Sequence, residues 1–226
     1  MIEEWLFKIT AVGIPAILAI TMHEAAHGWV ASKLGDDTAL RLGRVSFNPL
    51  RHIDPFGTII LPALMYFTTG FVFGWAKPVP VNFGRLRHPR RDMVWVALAG
   101  PGANLLLAVV SAWIWGMLPD PDGLGDMWIK AIMEVSILAN VVLMVFNLIP
   151  LPPLDGGRVA VGILPRSLAM PLARMEQYGI LVLIGVLFLL PLLGREIGVD
   201  LNVFSWVMGP LVDWALNLVA ALSGNH

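Results

Sequence analysis

The 226 residues are 57% hydrophobic and only 14% charged, with a mean hydropathy of +0.75. Soluble domains sit nearer half apolar and a quarter charged, so this chain lacks the polar surface to cover a soluble globule. A net charge of −1 gives no nucleic-acid signature, and the absence of cysteine excludes disulfides and thiolate metal sites.

Five apolar segments approach the length of about 20 residues that a bilayer crossing takes. The first runs from about Trp5 to Val30 and stops at Leu34-Gly35-Asp36-Asp37. Met1-Ile2-Glu3-Glu4 lacks the basic start of a cleavable signal, so this segment is expected to stay in the mature protein. The second covers about Met93 to Leu118 and ends at Pro119-Asp120-Pro121-Asp122-Gly123. The third covers about Trp128 to Ile149 and meets a proline cluster. The fourth, about Tyr178 to Leu193, is the shortest; the fifth covers about Val203 to Leu222.

Phe56 to Trp75 is also apolar, with Pro62 near its middle. It is either a sixth crossing or a hairpin that dips in and returns. Lys33, Arg41, Arg44 and Arg51 precede it; Lys77, Arg85, Arg87, Arg90 and Arg91 follow. Basic loops favour the cytoplasm, so two basic flanks favour the hairpin. Five alternating crossings then put the N-terminus outside and the C-terminus inside. Trp5, Trp113, Trp115, Trp128 and Trp206 fall at the expected outer ends, and Trp29 and Trp95 at the inner interface. The expected fold is all-α and polytopic: five transmembrane helices, a membrane-dipping hairpin and short β-strands at the cytoplasmic side. Six transmembrane helices are the alternative. Residues 1–226 read as one membrane-embedded domain, with a core over about 5–160 and C-terminal helices over about 175–222.

The first segment ends in His23-Glu24-Ala25-Ala26-His27. Two histidines four apart share a helix face. That spacing suits one Zn²⁺, with the glutamate as general base for an activated water. Ionisable groups at membrane depth are costly and point to function. A catalytic zinc site takes three protein ligands, and without cysteine the third must be His, Asp or Glu. His52, His88 and His226 lie in polar loops or at the terminus, and Glu134 lies in the outer half of the third segment. Asp155 is the better candidate. It follows Pro150, Pro152 and Pro153, which break the helix, and precedes Gly156 and Gly157, which permit a tight turn. The competing reading is a membrane-exit turn with a solvated aspartate. Topology favours the ligand. In the hairpin arrangement the first and third segments run the same way, and Asp155 converges in depth with His23 and His27. With a sixth crossing it would emerge roughly 20–30 Å away.

These residues resemble the site-2 protease family of intramembrane zinc metalloproteases. His23-Glu24-x-x-His27 is similar to the family's zinc helix. Asn147-x-x-Pro150-x-Pro152-x-Leu154-Asp155-Gly156 is similar to its second motif, whose aspartate is the third ligand. Ala99-Gly100-Pro101-x-x-Asn104 is similar to its middle-helix motif. The stretches Gly74 to Asn82 and Asn48 to Pro55 resemble the short bacterial and archaeal members, without PDZ or CBS domains. The resemblance implies one zinc ion per chain and an integral membrane protein of a prokaryotic inner or plasma membrane. Its active site would face the cytoplasm and its substrate would be a transmembrane protein. No nucleic acid is implied, and oligomeric state is not legible.

In the implied mechanism Glu24 takes a proton from water and passes it to the leaving amine. Asn147 or Asn104 would bind the substrate backbone or the oxyanion; a helix–helix hydrogen bond is the competing role for each. An unwound substrate could add to an edge strand at Arg44–Phe47 or Val79–Asn82, unless these are plain surface loops. His52, His88 and the neighbouring arginines suit contact with anionic lipid, and Gly100 and Gly102 suit close helix packing. The main alternative is a membrane zinc-binding protein or transporter without proteolysis. A transporter would want further buried carboxylates or histidines, and the sequence offers none.

Overall fold

The computed structural model describes residues 2–61, 63–64 and 74–225. The long helix α1 (Ile2–Lys33) opens the chain. Gly35, at φ +116°, closes it, and the Asp36 N–H turns back to Ala31 O at 2.9 Å. A residue without Cβ takes that φ at little cost. One turn, α2 (Thr38–Arg41), follows. Helix α3 (Pro89–Met117) starts on proline, whose missing N–H would lack a partner there anyway. Asp92 in its first turn accepts the His88 N–H at 2.8 Å. Next come α4 (Leu124–Asn147), α5 (Asp155–Ile163), α6 (Arg166–Arg174) and α7 (Glu176–Ile184). A π-helical turn (Gly185–Leu189) leads into α8 (Leu190–Ile197), and α9 (Val203–Ser223) closes the fold.

Among the described residues, five helical stretches are long and apolar enough to cross a membrane: Ile9–Lys33, Pro89–Met117, Leu124–Asn147, Glu176–Ile197 and Val203–Ser223. They are the five segments read from the sequence. Helices α1 and α3 run antiparallel, with His23 beside Asn104 and His27 beside Val96. Helices α1 and α4 run parallel. Near their starts Trp128 Nε1 donates to Thr10 Oγ1 at 2.8 Å. Just beyond the end of α4, Asp155 reaches His23 and His27.

Helix α9 departs from the expected alternation. Phe204, at its start, packs on Phe146 with ring centroids 6.0 Å apart. Asn225, past its end, donates to Ala112 O at 2.6 Å. So α9 runs antiparallel to α4 and parallel to α3, the reverse of a chain whose C-terminus returns to the histidine end. Trp206 therefore lies at the histidine end, away from Trp113, Trp115 and Trp128. Side-chain fit sets this direction: Met208, Ala215 and Val219 bury against Ala108, Ala112 and Val141. The loop used to orient it carries Arg195 against Glu196 and Asp200, a near balance with little positive-inside signal. Tryptophan belts form at both interfaces and cannot tell the two apart.

The expected strands are absent among the described residues. Residues 44–47 and 79–82 are irregular because their backbone donors have other partners. Arg44 N–H goes to Ala39 O at 2.8 Å, Val79 N–H to Glu24 Oε2 at 2.7 Å and Asn82 N–H to Asp36 Oδ2 at 2.6 Å. Pro78 and Pro80 have none to offer. Half of the hairpin expected over Phe56–Trp75, residues 62 and 65–73, lies outside the described residues. Its two flanks meet: Trp75 N–H donates to Gly57 O at 3.0 Å and Lys77 N–H to His52 O at 2.8 Å.

Candidate metal centre

Nε2 of His23, Nε2 of His27 and Oδ2 of Asp155 form a triangle with edges of 3.0, 3.2 and 3.3 Å. All three residues are buried. The helical spacing stacks the two imidazoles on one face of α1, ring centroids 4.7 Å apart and nearly perpendicular. Asp155 arrives from the first turn of α5. The loop before it is so tight that a side chain at Gly156 would collide with the carbonyls of Leu148 and Ile149, and one at Gly157 with Pro152. Gly179 lets α7 cross the same loop, against Pro152 O.

The hydrogen bonds behind the two imidazoles fix their tautomers. His23 Nδ1 lies 2.6 Å from Asn104 Oδ1. The Asn104 amide nitrogen donates to Ala19 O at 3.2 Å and to Asn140 Oδ1 at 2.8 Å. Asn140 in turn donates to Ser136 O at 2.8 Å. This chain of donors orients the Asn104 amide, so its oxygen accepts and His23 Nδ1 carries the proton. His27 Nδ1 donates to Val96 O at 2.7 Å. Both Nε2 atoms are then bare acceptors facing a carboxylate oxygen.

Three acceptors this close repel unless a cation joins them. A tetrahedral ion about 2.0–2.1 Å from each donor sets the donors about 3.3–3.4 Å apart, close to the observed edges. Two imidazoles and one carboxylate suit zinc, and the residues fit it.

Glu24 lines the same cavity, which has a volume of about 380 Å³ and mostly apolar walls. Its Oε2 accepts from Val79 N–H, and Oε1 has no hydrogen bond among the described residues. Asn147 also lines the cavity while its Nδ2 donates to Leu143 O at 2.9 Å. Asn104 is fully buried behind His23 and does not line the cavity. Its polar atoms are engaged by His23, Ala19 and Asn140, so a substrate contact does not fit it; the helix–helix bond does.

Sequence reasoning missed three contributors. They are the Val79 N–H on Glu24, the Val96 carbonyl behind His27, and Asn140 behind Asn104. Backbone groups leave no residue-type signature, but an asparagine at the centre of an apolar helix is one.

A model of peptidase family M50 matches residues 121–192. The protein named "Putative zinc metalloprotease YwhC" of Bacillus subtilis (strain 168) is 40% identical over 185 residues. That match covers 79% of this chain and 80% of the relative. The chain belongs to peptidase family M50. Two proteins named "Putative zinc metalloprotease Rip2" are also similar. The one from Mycolicibacterium smegmatis is 31% identical over 180 residues, 79% of this chain and 66% of that protein. The one from Mycobacterium tuberculosis (strain ATCC 25618 / H37Rv) is 32% identical over 207 residues, 89% and 71%. No solved structure matches the chain. Membership in M50 and five apolar helices make this an integral membrane zinc metalloprotease, and the transporter alternative falls.

Proposed function

We propose that this M50 peptidase cleaves transmembrane protein substrates within or near their membrane segments, using His23, His27 and Asp155 as zinc ligands and Glu24 as general base. The carrying observation is the convergence of three buried ligand atoms within 3.3 Å, with a carboxylate beside them, inside a bundle of apolar helices.

Zinc, when bound, supplies a Lewis acid for the scissile carbonyl and acidifies water. Glu24 Oε1 accepts the proton of the attacking water and returns it to the leaving amine. The Val79 N–H on Oε2 keeps the carboxylate aimed. Asn147 donates its remaining amide hydrogen to the substrate backbone or oxyanion. Asn104 holds His23 in the tautomer that presents Nε2. The apolar cavity walls accept a locally unwound helix and exclude bulk water.

The basic residues around 41–51 and 77–91 support a cytoplasmic placement of the site in a prokaryotic inner membrane. The meeting of Gly57 with Trp75 and of His52 with Lys77 supports a hairpin rather than a sixth crossing. A single membrane-embedded peptidase domain over residues 1–226 fits this arrangement.

Co-expression with candidate single-pass membrane proteins tests the reading. A fragment should form with the wild type and vanish with Glu24→Gln, while that variant keeps its zinc. Undiminished cleavage by Glu24→Gln would overturn the base assignment.

A further inference from the structure

Gly100 stands where α3 passes closest to the ligand atoms. A Cβ there would lie 2.6 Å from both Cε1 and Nε2 of His23, and closer still to Nε2 of His27. Non-bonded heavy atoms settle at roughly 3.5–4 Å. A methyl group at this position claims the space between the two imidazoles.

The rings have nowhere to retreat. His27 is tied to Val96 O and His23 to Asn104 Oδ1. Val96, Gly100 and Asn104 are spaced by four and share one face of α3. That face reads acceptor, gap, acceptor, against His27, the metal position and His23. Shifting α3 outward to admit a side chain would carry both acceptors away from the rings.

We propose that the Val96–Gly100–Asn104 face of α3 is the template of the metal pocket, with Gly100 reserving the volume of the ion. The inference rests on the zinc reading of His23, His27 and Asp155. Glycine is among the poorest residues in a helix interior, and here its use is the missing side chain. Gly102, two residues on, provides the control: a Cβ there meets nothing within 4 Å, so it tests helix propensity without touching the pocket.

The test compares purified wild type, G100A and G102A in detergent micelles. Zinc content, zinc affinity by competition with a chromophoric chelator, and helicity and thermal unfolding in chelator are measured for each. The expected result is that G102A binds zinc as the wild type does. G100A should bind it about 100-fold more weakly, the scale on which loss of ligand geometry acts. G102A should unfold in chelator at or above the wild-type temperature, since alanine favours helix; G100A, whose methyl group crowds both rings with or without metal, should unfold below it while keeping wild-type helicity. Wild-type zinc affinity in G100A would overturn the proposal. Loss of zinc together with helicity in G100A, with G102A intact, would also overturn it, because the glycine would then serve only the packing of α3 on α1. A wild type without zinc would strike down the metal reading beneath it instead.

Discussion

At the scale of single residues, the site depends on atoms that do not touch substrate. Asn104 is the clearest case. Cutting it to alanine removes the acceptor for His23 Nδ1–H and leaves Ala19 O and Asn140 without their donor. We expect zinc affinity to fall about 10- to 100-fold, the range for the partner of a ligating histidine, as read by chelator competition. Asn140→Ala should act in the same direction through Asn104 and more weakly. The histidine pair and Glu24 were legible because their spacing is a helical geometry. Asp155 was legible because proline and glycine punctuate the chain around it. The partners behind the rings were not, because whether an asparagine faces substrate or another helix depends on how α1 rotates against α3.

At the scale of elements, the irregular segment 79–82 is a part where the strand reading of the sequence failed. Its alternation reads as a strand, yet carboxylates on and after α1 hold it as a wall of the cavity. Val79→Pro deletes the N–H that donates to Glu24 Oε2. We expect cleavage to drop about 10- to 100-fold, as for a misplaced reacting group, with zinc content unchanged by metal analysis. Further along, Asp36 anchors the wall through Asn82. Burial pushes its carboxyl up. Hydrogen bonds from the Thr38 hydroxyl, the Asn82 N–H and the Thr38 N–H outweigh that and hold it below the ordinary value of 3.8. A depressed value means stability that is present above pH 3.8 and lost as pH falls through the lower folded value. In melts taken from pH 6 to pH 3, the wild type should lose more stability than Asp36→Asn. An equal loss in both would remove Asp36 from the pH dependence.

At the scale of the whole molecule, a zinc ion held by His23, His27 and Asp155 would tie α1 to the start of α5, about 130 positions later. Any ligand that binds only the folded state adds to stability, by about 4 kcal/mol at a free concentration 1,000 times its dissociation constant. Chelation should therefore lower the melting temperature in detergent, and added zinc should restore it; a melt indifferent to chelator would argue against a structural bridge here. The sequence by itself determined the membrane class, the five apolar helices, the three side chains that converge as candidate metal ligands and the parallel course of α1 and α4. These follow from local periodicity, segment length and strongly one-sided charge. Only the tertiary structure decided the course of α9, the irregular wall beside Glu24 and the place of Asn104 behind His23. Each of these is settled by how one surface fits another, and the loop charges, tryptophans and alternation that spoke to them fit both outcomes almost equally well.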